Sequence, residues 1–414
     1  MTPLRHLTDF LGLRRSMVGL LGMVILVGLG EKMAERFLPL YLLALGGGAL
    51  SVGLLNGLDN LLSALYSLPG GYLADRLGTK RALLIFNMLA MAGFLVVIVI
   101  PAWEAVIAGS CLFLSWTAIS LPASMGLVAQ VLPNRKRTMG VAMHSLVRRF
   151  PMALGPVIGG WFIVTWGTTT GVRLAFVAAL VLAVVAAAMQ QVLIAPDPPR
   201  GAKAEPEAAT GRALAAPLRA MREMHPDLRN LLASDILIRF CEQIPYAFVV
   251  LWAMQTIAQP VDALQFGMLT TIEMAVAAAI YIPVAHFADR LGKKPFVLIT
   301  FVFFTLFPLA LLFAHSFWPL VGAFVLRGLK EFGDSTRKAL ILDLAPDGRQ
   351  ALTFGMYYLV RDTIVSVAAF GGALLWMIRP EVNFLTAFGF GVLGTICFAV
   401  YGRDVAPGRV ANGE

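Results

Sequence analysis

From residue 17 to residue 402 the chain is a succession of long apolar runs separated by short polar loops. A helix needs roughly 20 mostly apolar residues to cross a bilayer's hydrocarbon core. Runs of that size fall at 17–45, 49–73, 82–100, 104–130, 138–165 and 173–194, and again at 229–258, 264–287, 295–314, 317–344, 351–377 and 383–402. They predict an all-α membrane protein with twelve transmembrane helices in two six-helix sets. Between the sets, 195–228 is rich in Pro, Ala and charge and reads as a solvated linker, with a short surface helix from Ala213 to Met224. The expected organisation is therefore a bundle over 1–194, a linker over 195–228 and a bundle over 229–414. The opening stretch MTPLRHLTDFLGLRRS is partly amphipathic. The apolar run after it is too long for a signal-peptide core and lacks a small-residue cleavage pattern, so it counts as the first span.

Composition agrees. The 414 residues are 58% hydrophobic and 14% charged, with mean hydropathy +0.79, where soluble proteins carry about 25% charge. A formal net charge of +9 could signal nucleic acid. The basic residues, however, sit beside apolar spans, as topology determinants do, and no nucleic-acid partner is expected. One set of loops holds Arg5, Arg14, Arg15, Arg76, Lys80, Arg81, Arg135, Lys136, Arg137, the linker's basic residues, Arg290, Lys293, Lys294, Arg349, Arg403 and Arg409; the other holds Arg173 and Arg379. Twenty against two places both termini and the linker in the cytoplasm. Cys111, Cys241 and Cys397 are far apart, without metal-ligand spacing, and read as small buried hydrophobes. No metal or cofactor is expected.

The two halves repeat. GYLADRLGTKRALLI (71–85) follows the second span and HFADRLGKKPFVLI (286–299) the eighth, so that Asp75 and Asp289 are 214 positions apart. LVRR at 146–149 and LVRD at 359–362 repeat at offset 213. A shared offset in two places implies a duplicated six-helix unit, a common construction among secondary transporters.

These residues carry a resemblance. GYLADRLGTKR at 71–81, degraded at 285–294, resembles the cytoplasmic loop signature of the major facilitator superfamily, and GPVIGG at 155–160 resembles a fifth-helix motif of that superfamily's proton antiporters, the drug and metabolite exporters. The resemblance implies the major facilitator fold, a monomer in a bacterial inner membrane, and gating by Gly71, Asp75, Arg76, Gly78, Lys80 and Arg81 with their repeats Asp289, Arg290 and Gly292. Gly155, Pro156, Gly159 and Gly160 would let the fifth helix bend and pack closely. In one respect the chain departs. Exporters of this type often carry a fourth-span arginine, whereas 105–130 contains no Arg or Lys and offers residues such as Ser115, Trp116, Thr117, Ser120 and Gln130. Its repeat partner instead reads LRGLKEFGDSTRKALILD (326–343), which shifts attention to the second half.

Charges within spans are the candidate chemistry, since each costs roughly 2.5–3.5 kcal/mol at bilayer centre unless protein or water surrounds it. The third, sixth, ninth and twelfth spans have none in their interiors, and these are the peripheral helices of the fold the resemblance implies. At 1.5 Å per residue, Arg148, Arg239, Arg327 and Arg361 each lie about ten residues from a membrane face, near the midplane. In the tenth span Arg327, Lys330, Glu331, Asp334, Arg337 and Lys338 recur at three and four, which predicts one face of one helix lining a cavity or forming a salt-bridge ladder. Arg337, Lys338 and Asp343 fall toward its cytoplasmic end, as gate or anchor residues. Guanidinium grips carboxylate or phosphate in bidentate fashion, so Arg148, Arg239, Arg327, Lys330 and Arg361 are candidate ligands for an anionic or amphoteric solute. Carboxylates in low dielectric suit proton coupling; the candidates are Glu31, Asp59, Glu242, Glu273, Glu331 and Asp362.

The function expected is proton-coupled secondary transport of a small charged or amphoteric organic solute, organic anion and export favoured. Multidrug/proton antiport and proton-coupled uptake are the alternatives. An enzyme is not expected: His6, His144, His225, His286 and His315 are scattered, and no triad, paired-histidine or nucleotide motif occurs. A receptor or scaffold that kept the carrier fold would gain nothing from the cost of midplane charge.

Overall fold

The computed structural model describes residues 15–114, 116, 120, 124, 127, 147–195, 224–291, 293–345 and 350–403. Among the described residues the chain is helical, with no strand. Its first half contains α1 (Arg15–Glu35), α2 (Leu38–Ala44), α3 (Ala49–Leu77), α4 (Thr79–Val99), α5 (Trp103–Phe113), α6 (Arg149–Trp166) and α7 (Thr168–Leu193). Its second contains α8 (Pro226–Gln243), α9 (Ala263–Leu291), α10 (Lys294–Leu312), α11 (Phe317–Leu329), α12 (Asp334–Asp343), α13 (Gln350–Ile378) and α14 (Pro380–Tyr401). Eight described helical segments are long and apolar enough to cross a membrane, and the apolar α5 is shorter. The chain is an all-α, multi-pass membrane protein.

Two compact units emerge, Met1–Gly201 with Val261–Thr271, and Ala202–Pro260 with Ile272–Glu414. A boundary at 229 would leave 261–271 wholly with the second half; those residues pack within the first unit. Each unit has the same internal wiring. In the first, α1 packs on α6 and α7, and α4 on α5 and α7. In the second, α8 packs on α13 and α14, and α10 on α11 and α14. The repeat is also visible in single helices: α3 and α9 are both 29 residues long and begin 214 positions apart, at 49 and 263.

Side-chain size explains the close contacts. α7 buries Ala175, Ala179, Ala183 and Ala186 along one stripe. A Cβ added to Gly30 of α1 would lie 2.9 Å from the Ala179 Cα, an approach only small residues allow. The opposite stripe, Val177, Val181, Val184, Val185 and Val192, is exposed. α14 shows the same division, with Leu385, Leu393, Ile396 and Val400 exposed and Phe384, Ala387 and Phe398 buried. Exposed apolar stripes of this kind face lipid.

Three spans read as continuous helices are broken. The first stops at Glu35 and restarts at Leu38; the seventh stops at Gln243 and continues as a 3-10 turn over Tyr246–Phe248 and, after Val249–Leu251, a π turn over Trp252–Thr256. The cause is the same in both, because Pro39 and Pro245 have no N–H to give the carbonyl four residues back. The tenth span has no such proline. It divides into α11 and α12 at a 3-10 turn over Lys330–Gly333, where the Gly333 N–H donates to Thr300 Oγ1 of α10 (2.5 Å). A Cβ on Gly333 would meet the Phe296 carbonyl oxygen at 2.5 Å, so the turn lies directly against α10.

Candidate functional site

In the second unit, α8, α9, α11, the 3-10 turn, α12 and α13 bring eleven ionised side chains into one connected network. Glu273 Oε1 is 3.2 Å from Arg327 Nε and 3.9 Å from Lys330 Nζ. Lys330 also holds Glu242 Oε1 at 2.6 Å, and Arg239 holds Glu242 Oε2 at 2.5 Å. Arg239 reaches Asp235 at 4.0 Å, one helical turn away. Asp235 receives Arg337 Nη1, 2.5 Å from each carboxylate oxygen, Arg361 Nη1 at 3.3 Å and the Tyr357 hydroxyl at 3.0 Å. Arg337 and Lys338 share Asp334, and Arg361 takes Asp362 at 2.7 Å. Six cations thus face five carboxylates. Burying ions costs several kcal/mol each unless geometry and further hydrogen bonds compensate, and Asp235, Glu273, Arg327, Lys330, Arg337 and Arg361 are all buried.

Aromatic rings hold the cations in place. Arg327 lies 5.1 Å from the Phe307 ring centroid, 5.5 Å from Tyr246 and 5.7 Å from Phe324. Arg239 and Lys330 both stand over Phe304, and Arg361 over Tyr358 at 4.2 Å. Such contacts contribute about 0.5–2 kcal/mol each, and they fix a guanidinium's position whether or not its carboxylate is engaged.

The first unit holds a smaller group. Lys32 bonds Glu31 at 3.1 Å and also Glu35. Asp59 of α3 interacts electrostatically with Glu35, Lys32, Glu31 and Arg36, and Arg148 with Glu31 and Arg149. Glu31 is buried, and its Oε2 accepts no hydrogen bond. The fourth span supplies a neutral feature. Trp116 Nε1 donates to Asn87, whose amide donates to Gln190, whose amide donates to the Lys80 carbonyl. This chain ties α4 to α7.

Of the four arginines expected near the midplane, Arg239, Arg327 and Arg361 join the second-unit network and Arg148 belongs to the first-unit group. Arg337, read as a gate or anchor residue, is buried at the network's centre. Asp235 is that centre, and a single carboxylate among several gave no sequence signal of its four partners. Arg327, Lys330, Asp334, Arg337 and Lys338 still point into one network despite the broken helix, because the 3-10 turn keeps nearly the three-residue spacing. Glu331 stands on that turn. Ser115, Thr117, Gln130, Gly292 and most of the linker's surface helix lie outside the described residues.

The model of the Major Facilitator Superfamily matches residues 20–257 and 231–414. The chain belongs to the major facilitator superfamily. An uncharacterized MFS-type transporter of Methanocaldococcus jannaschii is 22% identical over 378 residues, covering 86% of this chain and 87% of that one. Among solved structures, a D323A mutant of the nucleoside transporter NupG aligns over 94% of this chain and all of its own at TM-score 0.79 and 12% identity. A POT family transporter in complex with 5-aminolevulinic acid aligns over 94% and 96% at TM-score 0.75 and 13% identity. The major facilitator fold is thereby established, and the chain is a secondary transporter.

The superfamily's loop signature lies at the end of α3. Gly71, Asp75 and Arg76 are in the helix, and Gly78 ends it at φ 88°, a conformation that favours glycine. Lys80 Nζ donates to the carbonyls of Gln191 (2.8 Å) and Ile194 (2.6 Å) at the end of α7. Its repeat mate Lys294 donates to the Ala399 carbonyl (3.0 Å) near the end of α14. The signature lysine thus caps the last helix of its own six-helix unit, where cations complement the helix dipole. Arg81 is exposed, Asp289 and Arg290 lie in the last turn of α9, and Lys293 pairs with Asp343. In the GPVIGG segment of α6, a Cβ on Gly159 would fall 1.9 Å from the Met33 carbonyl oxygen, and one on Gly155 2.6 Å from the Lys32 Cβ. Gly160 faces the Ala263 carbonyl at 2.3 Å by the same measure, and Pro156 offers its own carbonyl to Gly267. The motif is a two-sided seam between α1 and the first turns of α9.

Proposed function

We propose that this transporter moves a small charged or amphoteric organic solute, an organic anion by preference, by alternating access coupled to protons. The observation that carries this reading is the second-unit network, in which Arg239, Arg327, Lys330 and Arg361 are gathered with their carboxylates into one cluster of buried and half-buried charges. Guanidinium and ammonium groups gathered in this way suit a solute that carries a carboxylate. Arg239, Arg327, Lys330 and Arg361 would contact it, and Glu31, Asp59, Glu242, Glu273, Glu331 and Asp362 are the carboxylates from which the proton site is drawn. Arg148 would serve the first unit. The protein would work as a monomer in a bacterial inner membrane, with both termini and the linker cytoplasmic and the loop motifs acting as gates.

Export follows from the fifth-helix motif's likeness to the exporters. Uptake together with protons is the second reading, favoured by the way Glu273 occupies Arg327 and Lys330. Multidrug extrusion is disfavoured, because a purely apolar compound makes no use of so dense a cluster of charge. The test is flux in proteoliposomes with an imposed pH gradient, using labelled acetate, lactate, succinate and glutamate against ethidium. Gradient-driven movement of a carboxylate, reduced at least tenfold in Arg327→Ala, is expected. Movement of ethidium alone would establish the multidrug reading in its place.

A further inference from the structure

Ile244 stands where the seventh span breaks, and its carbonyl has lost its helical partner. The Phe248 N–H that would reach it in an unbroken helix donates to the Pro245 carbonyl instead (2.8 Å). A side chain from another helix takes over. Asn383 of α14 donates its Nδ2 to the Ile244 carbonyl (3.2 Å) and to the Gly372 carbonyl of α13 (2.7 Å). Both neighbours are acceptors, which fixes the orientation of the amide. Asn383 is wholly buried, and its Oδ1 accepts no hydrogen bond. A leucine would fill this space without stranding an oxygen, so what the asparagine contributes is its two donated bonds. Gly372 completes the contact, since a Cβ there would lie 2.3 Å from the Ile244 carbonyl oxygen.

The residues beyond the break are tied to the same neighbours. The Phe248 ring stacks on Trp376 of α13 at 4.8 Å. Trp252 packs on Phe384 of α14 at 5.1 Å, and its Nε1 donates to the Leu311 carbonyl of α10 (3.0 Å). On either side of Ile244 stand two residues that touch tenth-span cations. Glu242 accepts from Lys330, and the Tyr246 ring centroid lies 5.5 Å from Arg327.

A broken span either flexes as a hinge or aims side chains as a fixed kink. We propose that Asn383 makes this break a fixed kink and is thereby a positioning residue for the solute site, holding Tyr246 over Arg327 and Glu242 on Lys330. Asn383 bonds neither cation and acts through the main chain of residues 242–246. The outer part of the seventh span then moves with α10, α13 and α14 instead of swinging at Pro245. The effect on transport rests on the reading of Arg327 and Lys330 as solute ligands; the fixed kink stands apart from that reading.

Hydrogen exchange and arginine modification, both followed by mass spectrometry on the full-length protein in detergent, test this. In the wild type the amides of Tyr246–Leu251 should exchange as slowly as those of α8, within about tenfold. Exchange about a hundredfold faster would make the break a hinge and overturn the proposal, and this measurement needs no variant. Asn383→Leu should raise phenylglyoxal labelling of Arg327 about threefold or more, the size of one lost cation–π contact, and leave Arg337 unchanged. Tyr246→Ala should raise Arg327 labelling by a similar factor, and the double variant no further, because both act through one ring. Unchanged Arg327 labelling in a folded Asn383→Leu, equal rises at Arg327 and Arg337, or additive effects in the double variant would each overturn the positioning role. In proteoliposomes Asn383→Leu should raise the KM for whichever of acetate, lactate, succinate and glutamate the wild type carries about threefold or more, with kcat nearly unchanged. Raised labelling with an unchanged KM would overturn the solute-site role of Arg327 and leave the fixed kink standing.

Discussion

Asp235 is where a single atom group matters most. Its carboxylate is almost wholly buried and satisfies two guanidiniums and a phenol at once. Asp235→Asn keeps the shape and removes the charge, leaving Arg337 and Arg361 in excess. Removing one partner of a buried ion pair costs about 3–5 kcal/mol, and a loss of that order should appear as a large drop in thermal stability of the purified protein. Asp362→Asn should cost less, about 1 kcal/mol or below, because Arg361 retains Asp235 and Asp362 is partly exposed. Equal losses in the two variants would show that Asp235 is not the centre of the network.

At the scale of helices, glycine placement separates packing from tolerance. Gly159 of α6 has no room: its substituent would overlap the Met33 carbonyl of α1. Gly371 of α13 has nothing within 4 Å of the same position. Gly159→Ala is therefore expected to force α6 away from α1 and to lower stability by about 1–3 kcal/mol. Gly371→Ala should be neutral or stabilise by up to ~1 kcal/mol through helix propensity. Melting temperatures of the two variants provide the comparison. The helix breaks belong to this scale as well. Apolar runs alone read straight through residues 36–37, 244–245 and 330–333. Pro39 and Pro245 were visible as possible causes, but prolines also occur inside unbroken helices here, such as Pro156 and Pro308. The third break needs Thr300, a residue of another helix, to take the freed Gly333 N–H.

Across the whole molecule the distribution of Lys and Arg makes a prediction about topology. In a background where Cys111, Cys241 and Cys397 are replaced, a cysteine at the exposed Ala195 should react with a membrane-impermeant thiol reagent only from the cytoplasmic side. A cysteine at the exposed His315 should react only from the opposite side. Reversed labelling would invert the orientation deduced from the loops. The internal duplication is also legible at this scale, because recurrence of Asp75 at Asp289 and of Lys80 at Lys294 needs only a shared offset. The structure adds what those lysines do, which is to close the carbonyl ends of α7 and α14.

Apolar run length, loop charge and the 214-residue repeat determined the fold class and the duplicated plan from sequence, since these are properties of order along the chain and of the energy of moving residues from water to lipid. The same information located the buried charges but could not pair them. Which carboxylate meets which guanidinium depends on helices far apart in sequence lying within a few ångströms, as Glu273 and Arg327 do. Only tertiary packing decided that Asp235 is saturated while Glu273 keeps an unused oxygen.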